Sequence, residues 1–182
     1  MSNSARPLDP AAVTRLVKRV RQARDYRPDP VPEPLLRDIL DVARWTGSVG
    51  NRQPWTFLVV TEPATKARMA EIATNTPHIG VAPVVVCVVM EPRGAETDNF
   101  DEGRLAERVM IAAAAHGLST GIGRVRGDAQ PAMGELLGVP APRVVRTLVS
   151  IGYATAAGAA PKSEPGQARR PLDELIRRER FS

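Results

Sequence analysis

Apolar residues recur at helical spacing early in the chain and give way to unbroken β-branched runs further on. Val13, Leu16, Val17 and Val20 stand at the i, i+3, i+4, i+7 interval of an amphipathic helix. Asp9 followed by Pro10 offers an N-cap and a proline at the first helical position, which predicts where that helix begins. Pro28, Pro30, Pro32 and Pro34 predict an extended linker behind it. A second helix over Leu35–Trp45 buries Leu36, Ile39, Leu40 and Ala43 and is stopped by Gly47.

Thr56–Thr61 (TFLVVT) reads as a short buried strand, and Pro83–Met90 (PVVVCVVM) is the strongest strand signal in the chain. Between them Lys66–Thr74 predicts a short helix. Asp98–His116 is a long helix, rich enough in alanine to lie centrally with close neighbours. Gly117–Gly123 is a turn into a short strand, Asp128–Leu137 a helix, Val144–Tyr153 a strand and Leu172–Arg180 a terminal helix. Ala154–Gly166 reads as an exposed connection. Two helices precede few strands, so an α+β sandwich with helices on both faces of one sheet fits better than a doubly wound dinucleotide fold. With 182 residues the chain is expected to form one domain over 1–182, with an N-terminal arm at 1–11 and a C-terminal arm and helix at 154–182.

Composition narrows the function classes. A single cysteine excludes an intramolecular disulfide and fits a reducing, cytoplasmic compartment. The apolar run near Val81–Met90 is about half a membrane span, and Met1–Pro10 is polar, so neither a membrane protein nor a secreted one is expected. The net charge of +5 equals that of residues 15–27, where six basic residues face one acidic residue. With seven aromatic residues and one basic cluster, a nucleic-acid module is not expected. On a helical projection Arg15, Lys18, Arg19 and Gln22 point to solvent. Arg21 falls at the boundary, and Arg24 lies on the apolar side if the helix extends that far. An inward arginine needs a ligand anion or an internal carboxylate to offset its desolvation, and both remain open at this point.

The second candidate is Thr46–Trp55 (TGSVGNRQPW), between a helix end and a strand. Two glycines permit close backbone approach, Ser48 and Asn51 are short and polar, and Gln53 both donates and accepts. Such a loop can read the edge of a planar heterocycle such as a flavin. By spacing alone it is equally a structural turn with Trp55 in the core.

Taken in order, these pieces resemble the FMN-dependent nitroreductase family. The likeness rests on Arg21-x-x-Arg24-x-Tyr26, Pro30-Val31-Pro32, LLRDILDVARW, GSVGNRQPW, AAAAHGLSTGIG, LLGV, LVSIGYA and the terminal Arg169-Arg170-Pro171-Leu172-Asp173-Glu174. It implies a three-layer α/β/α sandwich with a mainly antiparallel sheet. It also implies a homodimer in which both chains build each FMN site. By position, Arg21, Gln22 and Arg24 would face the FMN phosphate and pyrimidine edge, joined at the phosphate by Arg169 or Arg170. Ser48, Val49, Asn51 and Gln53 would approach from the partner chain, and Gly121, Ile122 and Gly123 would bring backbone amides to the flavin N5. A fixed cation such as Arg24 beside the flavin N1 and C2=O would favour the reduced form.

The implied activity is an NAD(P)H-dependent flavin oxidoreductase, passing electrons to a nitroaromatic or quinone acceptor in a ping-pong cycle. Flavin sequestration or sensing with little turnover, reductive dehalogenation and flavin fragmentation are the alternatives. The chain departs from the family pattern at Val20, where a basic residue is usual, at Gln22, where serine is usual, and at Gly47, where proline is common. No acidic residue stands in the Gly121–Gly123 turn, and the Glu91–Asp98 segment is short. Cys87 is expected to be an inert core thiol. The two histidines, His78 and His116, carry no metal-ligand spacing, and the carboxylates form no obvious acid–base pair.

Overall fold

The valine-rich run becomes an inner strand because helices cover both of its faces. The computed structural model describes residues 9–160 and 169–181. In it β1 (Trp55–Val60), β2 (Val84–Met90), β3 (Ser119–Arg124) and β4 (Val144–Gly152) form one sheet in the order β1-β2-β4-β3. Every neighbouring pair is antiparallel. Val84, Val86, Val88 and Met90 of β2 enter one core, while Val85, Cys87 and Val89 enter the other. That is the period-two alternation of a strand, and with both faces apolar it reads as one continuous run.

Among the described residues seven helices surround the sheet: α1 (Pro10–Arg19), α2 (Glu33–Arg44), α3 (Pro63–Ala73), α4 (His78–Val81), α5 (Ala95–Ala115), α6 (Gln130–Leu137) and α7 (Ala156–Ala159). Leu36, Ile39 and Ala43 of α2 and Leu105, Val109, Ala112 and Ala113 of α5 close the first core. Met69 and Ala73 of α3, Ile79 of α4 and Met133 of α6 close the second. The result is the expected three-layer α/β/α sandwich around an antiparallel sheet. Asp9 caps α1 by accepting from the Ala11 amide at 2.9 Å. His116 Nε2 lies 2.6 Å from Asp38 Oδ2 and ties the end of α5 to α2.

The structure corrects the sequence reading in four places. Helix α1 stops at Arg19, so Arg24 lies on no helix and is exposed rather than turned inward. Val13 and Val17 are 42% and 44% exposed, leaving the apolar stripe of α1 largely uncovered. The TFLVVT run does form β1, but as an edge strand in which Val60 alone is buried, since one side has no neighbour in the sheet. The terminal helix over Leu172–Arg180 is instead a single 3-10 turn at Leu172–Glu174. That segment buries no residue, and helical preference without a packed face does not hold a short helix. Of the predicted connection, Ala154 bridges Tyr26 and α7 follows; residues 161–166, Lys162 and the arm through residue 8 lie outside the described residues.

Candidate functional site

Past α1 the chain straightens and runs along the free edge of β3. Gln22 pairs parallel with Thr120 and Tyr26 pairs antiparallel with Ala154. The Ala23 amide donates to Thr120 O at 2.7 Å, and the Arg27 amide donates to Tyr153 O at 2.8 Å. Ala23 and Tyr26 turn inward and are buried, which leaves Arg21, Gln22 and Arg24 on the outer side. Gly121 makes this approach possible: a Cβ there would lie 2.4 Å from Ala23 O and 2.9 Å from Ser150 Oγ. Tyr26 locks the segment from beneath, with its hydroxyl 3.0 Å from Ala23 O and 2.7 Å from Ser150 Oγ.

Arg21 Nη1 donates to Lys18 O at 2.6 Å and to Val20 O at 2.8 Å, carbonyls at the end of α1. Arg24 makes no hydrogen bond or ion pair with the described residues, so both guanidiniums keep their charge without a carboxylate partner among them. The Ile122 amide donates to Gln22 Oε1 at 3.3 Å, so the glutamine side chain continues the strand-edge pairing. Arg19, Arg21, Gln22, Ser119 and Thr120 line a cleft of about 160 Å³, floored by Ala114 and Leu118. Arg21 at the mouth of this cleft suits a phosphate-bearing ligand, while Arg24 stands outside its lining. The second core takes the inner sides of Gly121 and Gly123, against Ala23 O and against Ile79 and Thr76 respectively.

The loop between α2 and β1 is separate from this cleft. Val49–Asn51 form a 3-10 turn, and Gly50, Asn51 and Gln53 all have positive φ, at 61°, 53° and 48°. Ser48 Oγ accepts from the Gln53 amide at 2.8 Å, the Asn51 amide donates to Ser48 O at 2.9 Å, and Gln53 Nε2 donates to Asn51 O at 3.2 Å. These bonds hold Gln53 in a left-handed conformation that glutamine, unlike glycine or asparagine, adopts only when its surroundings impose it. Ser48, Val49, Thr97, Asp98 and Asp101 line a second, smaller cleft of about 130 Å³. Within one chain the structure therefore gathers Arg21, Gln22 and Arg24 near Ser119–Thr120, and Ser48, Val49, Asn51 and Gln53 elsewhere. Arg170 is exposed and pairs with Glu174 at 3.4 Å. Neither Arg169 nor Arg170 is among the described residues lining the cleft at Arg21.

A buried charge network went unrecognised in the sequence. Asp98, Asp101 and Glu102 of α5 are all buried. Glu102 meets Arg146 Nε at 3.1 Å, Arg124 Nη1 at 3.2 Å and the Thr147 hydroxyl at 3.2 Å. Asp98 meets Arg146 Nη2 at 3.3 Å and accepts from the Arg93 and Gly94 amides ahead of the helix. The signal was available: the apolar stripe through Leu105 and Val109, continued backwards by three or four residues, falls on Asp101, Glu102 and Asp98. The network fastens α5 to β3 and β4, and its Asp98 and Asp101 end lines the cleft beside Ser48 and Val49. Cys87 is buried and free, and burial pushes its thiol up to about 12, so it is inert as expected. Among the described residues no cluster of metal-ligating side chains exists, and no helix is long and apolar enough to cross a membrane.

The α+β sandwich is shared with solved structures of low sequence identity. NfrA2 of B. megaterium superposes with a TM-score of 0.81 at 21% identity, over 93% of this chain and 75% of that one. An FMN-dependent nitroreductase from Clostridium difficile superposes at 0.77 and 21% identity, over 91% and 98% of the two chains. The nitroreductase family profile matches residues 17–83. A protein of Archaeoglobus fulgidus, provisionally named an NADH dehydrogenase/NAD(P)H nitroreductase, is 30% identical over 139 residues, covering 73% of this chain and 80% of its own length. This chain belongs to the nitroreductase family. An NADH dehydrogenase of Thermus thermophilus is 49% identical over 75 residues, which cover 41% of this chain and 36% of that protein. The match to a Caulobacter relative likewise covers 43% of that relative's length.

Proposed function

We propose that the chain is an FMN-dependent oxidoreductase that draws electrons from NAD(P)H for a small electron-poor acceptor such as a nitroaromatic or quinone. The observation that carries this reading is the pair Arg21 and Arg24, without carboxylate partners among the described residues, beside the edge of β3 in a chain of this family. FMN bears a phosphate dianion, and forked guanidiniums are suited to it. When bound, the flavin supplies the two-electron chemistry. Arg21, with Arg169 or Arg170, would hold the phosphate, and Arg24 would stabilise negative charge on the reduced ring. Gln22 already takes the Ile122 amide along the strand edge, where Gly121, Ile122 and Gly123 would face the ring.

A second copy of the chain would complete the site. Clefts of about 160 and 130 Å³ are each smaller than the roughly 300 Å³ at which small-molecule pockets begin, so each suits half a site. Val13, Val17, Val42, Trp45 and Val49 are exposed apolar residues on α1, on α2 and on the loop, which favours their burial against another copy. Ser48, Val49, Asn51 and Gln53 of the second copy would then reach the flavin held at Arg21. One open site serving donor and acceptor in turn would give ping-pong kinetics.

The purified protein should carry one FMN per chain, elute as a dimer and show a flavin absorbance that NADH or NADPH bleaches and a nitroaromatic restores. A colourless protein that fails to bind added FMN would overturn the reading. The Gln22 bond to the Ile122 amide favours one variant of it, a flavin-binding protein with little turnover, in which the bleaching step is absent.

A further inference from the structure

Arg104 reaches from α5 to the loop between α2 and β1. Its Nη1 donates to Gly47 O at 3.0 Å. The same guanidinium lies 3.8 Å from Asp101 Oδ1 and 5.3 Å over the ring of Phe100. A buried anion on one side and an aromatic face on the other fix where the guanidinium points, and it points at one carbonyl. Gly47 leaves the necessary room, because a Cβ there would lie 2.9 Å from Arg104 Nη2. The remaining bonds of residues 47–53 run within the loop: Asn51 to Ser48, Arg52 to Val49, and Gln53 to Ser48 and Asn51. Those bonds give the loop its shape but do not place it on the domain. Arg104 supplies the hydrogen bond that does so among the described residues.

We propose that Arg104 is a positioning residue that holds residues 47–53 in the arrangement from which Ser48, Val49, Asn51 and Gln53 meet the flavin. Position 47 is glycine because the guanidinium takes the place of a side chain there. This inference rests on the FMN reading above. Gln53 needs support, since a left-handed residue that is neither glycine nor asparagine is strained and persists only where its surroundings over-determine it. A Cβ at position 47 would displace the far end of a long side chain and no backbone, so Gly47→Ala and Arg104→Ala remove the same contact.

The test compares the wild type, Arg104→Ala, Gly47→Ala and the double variant, each as the full chain. The two tryptophans, Trp45 and Trp55, flank the loop, so acrylamide quenching of their fluorescence reports its order without FMN. Each single substitution should increase quenching and weaken FMN binding, read by loss of free-flavin fluorescence, about tenfold, the size of one hydrogen bond to a charged donor. The double variant should be no worse than the weaker single one, because contacts that are one and the same do not add. Thermal midpoints should stay close to wild type, since Arg104 is partly exposed and its loss empties no core. Wild-type affinity and quenching in Arg104→Ala, or additive effects in the double variant, would overturn the proposal. A wild-type chain that binds no FMN would instead overturn the flavin reading, and quenching unchanged across all four proteins would overturn the clamp whatever FMN does.

Discussion

Tyr26 Oη lies 2.7 Å from Ser150 Oγ, a buried hydroxyl pair that fastens the segment behind α1 to the inner strand β4. Ser150 also donates to Gly121 O at 3.1 Å, and Tyr26 reaches Ala23 O at 3.0 Å. The segment that carries Arg21 and Arg24 is thus held by hydroxyls beneath it and by backbone pairing along its edge.

Burial pushes the Tyr26 phenol up from 10.0 to about 12, with the Ser150 hydrogen bond working the other way. Between those values the unfolded chain releases a proton that the folded chain retains. Stability therefore falls as pH rises through this window, by about 1.4 kcal/mol per pH unit. Cys87, raised from 9.0 to about 12, adds a slope of the same sign that starts lower. Urea unfolding at pH 8, 10 and 11 should show the decline. Tyr26→Phe should cost about 1 kcal/mol at pH 8 and flatten the slope above pH 10; an unchanged slope would mean that Tyr26 does not titrate in this window.

Arg21→Gln and Arg24→Gln should each raise the FMN dissociation constant about tenfold or more, the cost of a lost hydrogen bond between charged groups. Arg24→Gln should also lower the flavin midpoint potential, because the cation facing the reduced ring is gone. Lys18→Gln, on the outward face of α1, serves as the control and should change affinity less than about twofold. Flavin fluorescence titration and a dye-coupled potential measurement read these effects.

Gly121→Ala places a methyl 2.4 Å from a backbone oxygen, where no side chain can yield. The segment from Gln22 to Tyr26 must lift off β3, which should cost about 1–3 kcal/mol and abolish tight FMN binding. Hydrogen exchange at the Ala23 amide, bonded to Thr120 O at 2.7 Å, should accelerate in this variant and stay protected in the wild type.

Glu102→Gln should destabilise the chain by about 1.5–3 kcal/mol, the size of hydrogen bonds between charged groups, since Arg146 keeps Asp98 at 3.3 Å and Arg124 is more than half exposed. Chemical denaturation measures the loss. FMN affinity of the folded fraction should be unchanged, because Glu102 lines neither the cleft at Arg21 nor the one at Ser48.

Local periodicity made much of the fold legible. Pro83–Met90 carried the strongest strand signal in the chain, and Leu36, Ile39 and Ala43 marked one face of a helix. The candidate segments at 21–24 and 46–55 were also visible, since uncompensated charge and paired glycines are local properties. The direction of Arg24 was not. It depended on where α1 ends, and the stripe through Val13, Val17 and Val20 suggested a helix longer than the backbone pairing with β3 allows.

The sequence by itself determined the layers and the strand periods, because these follow from spacing within a dozen residues, and the order of its motifs along the chain carried the resemblance to the family. The tertiary structure alone decided that Tyr26 meets Ser150, that Glu102 meets Arg146 and Arg124, and that Arg104 fills the space beside Gly47. Each of those contacts joins residues tens of positions apart, and their energies depend on burial and geometry that no local pattern encodes.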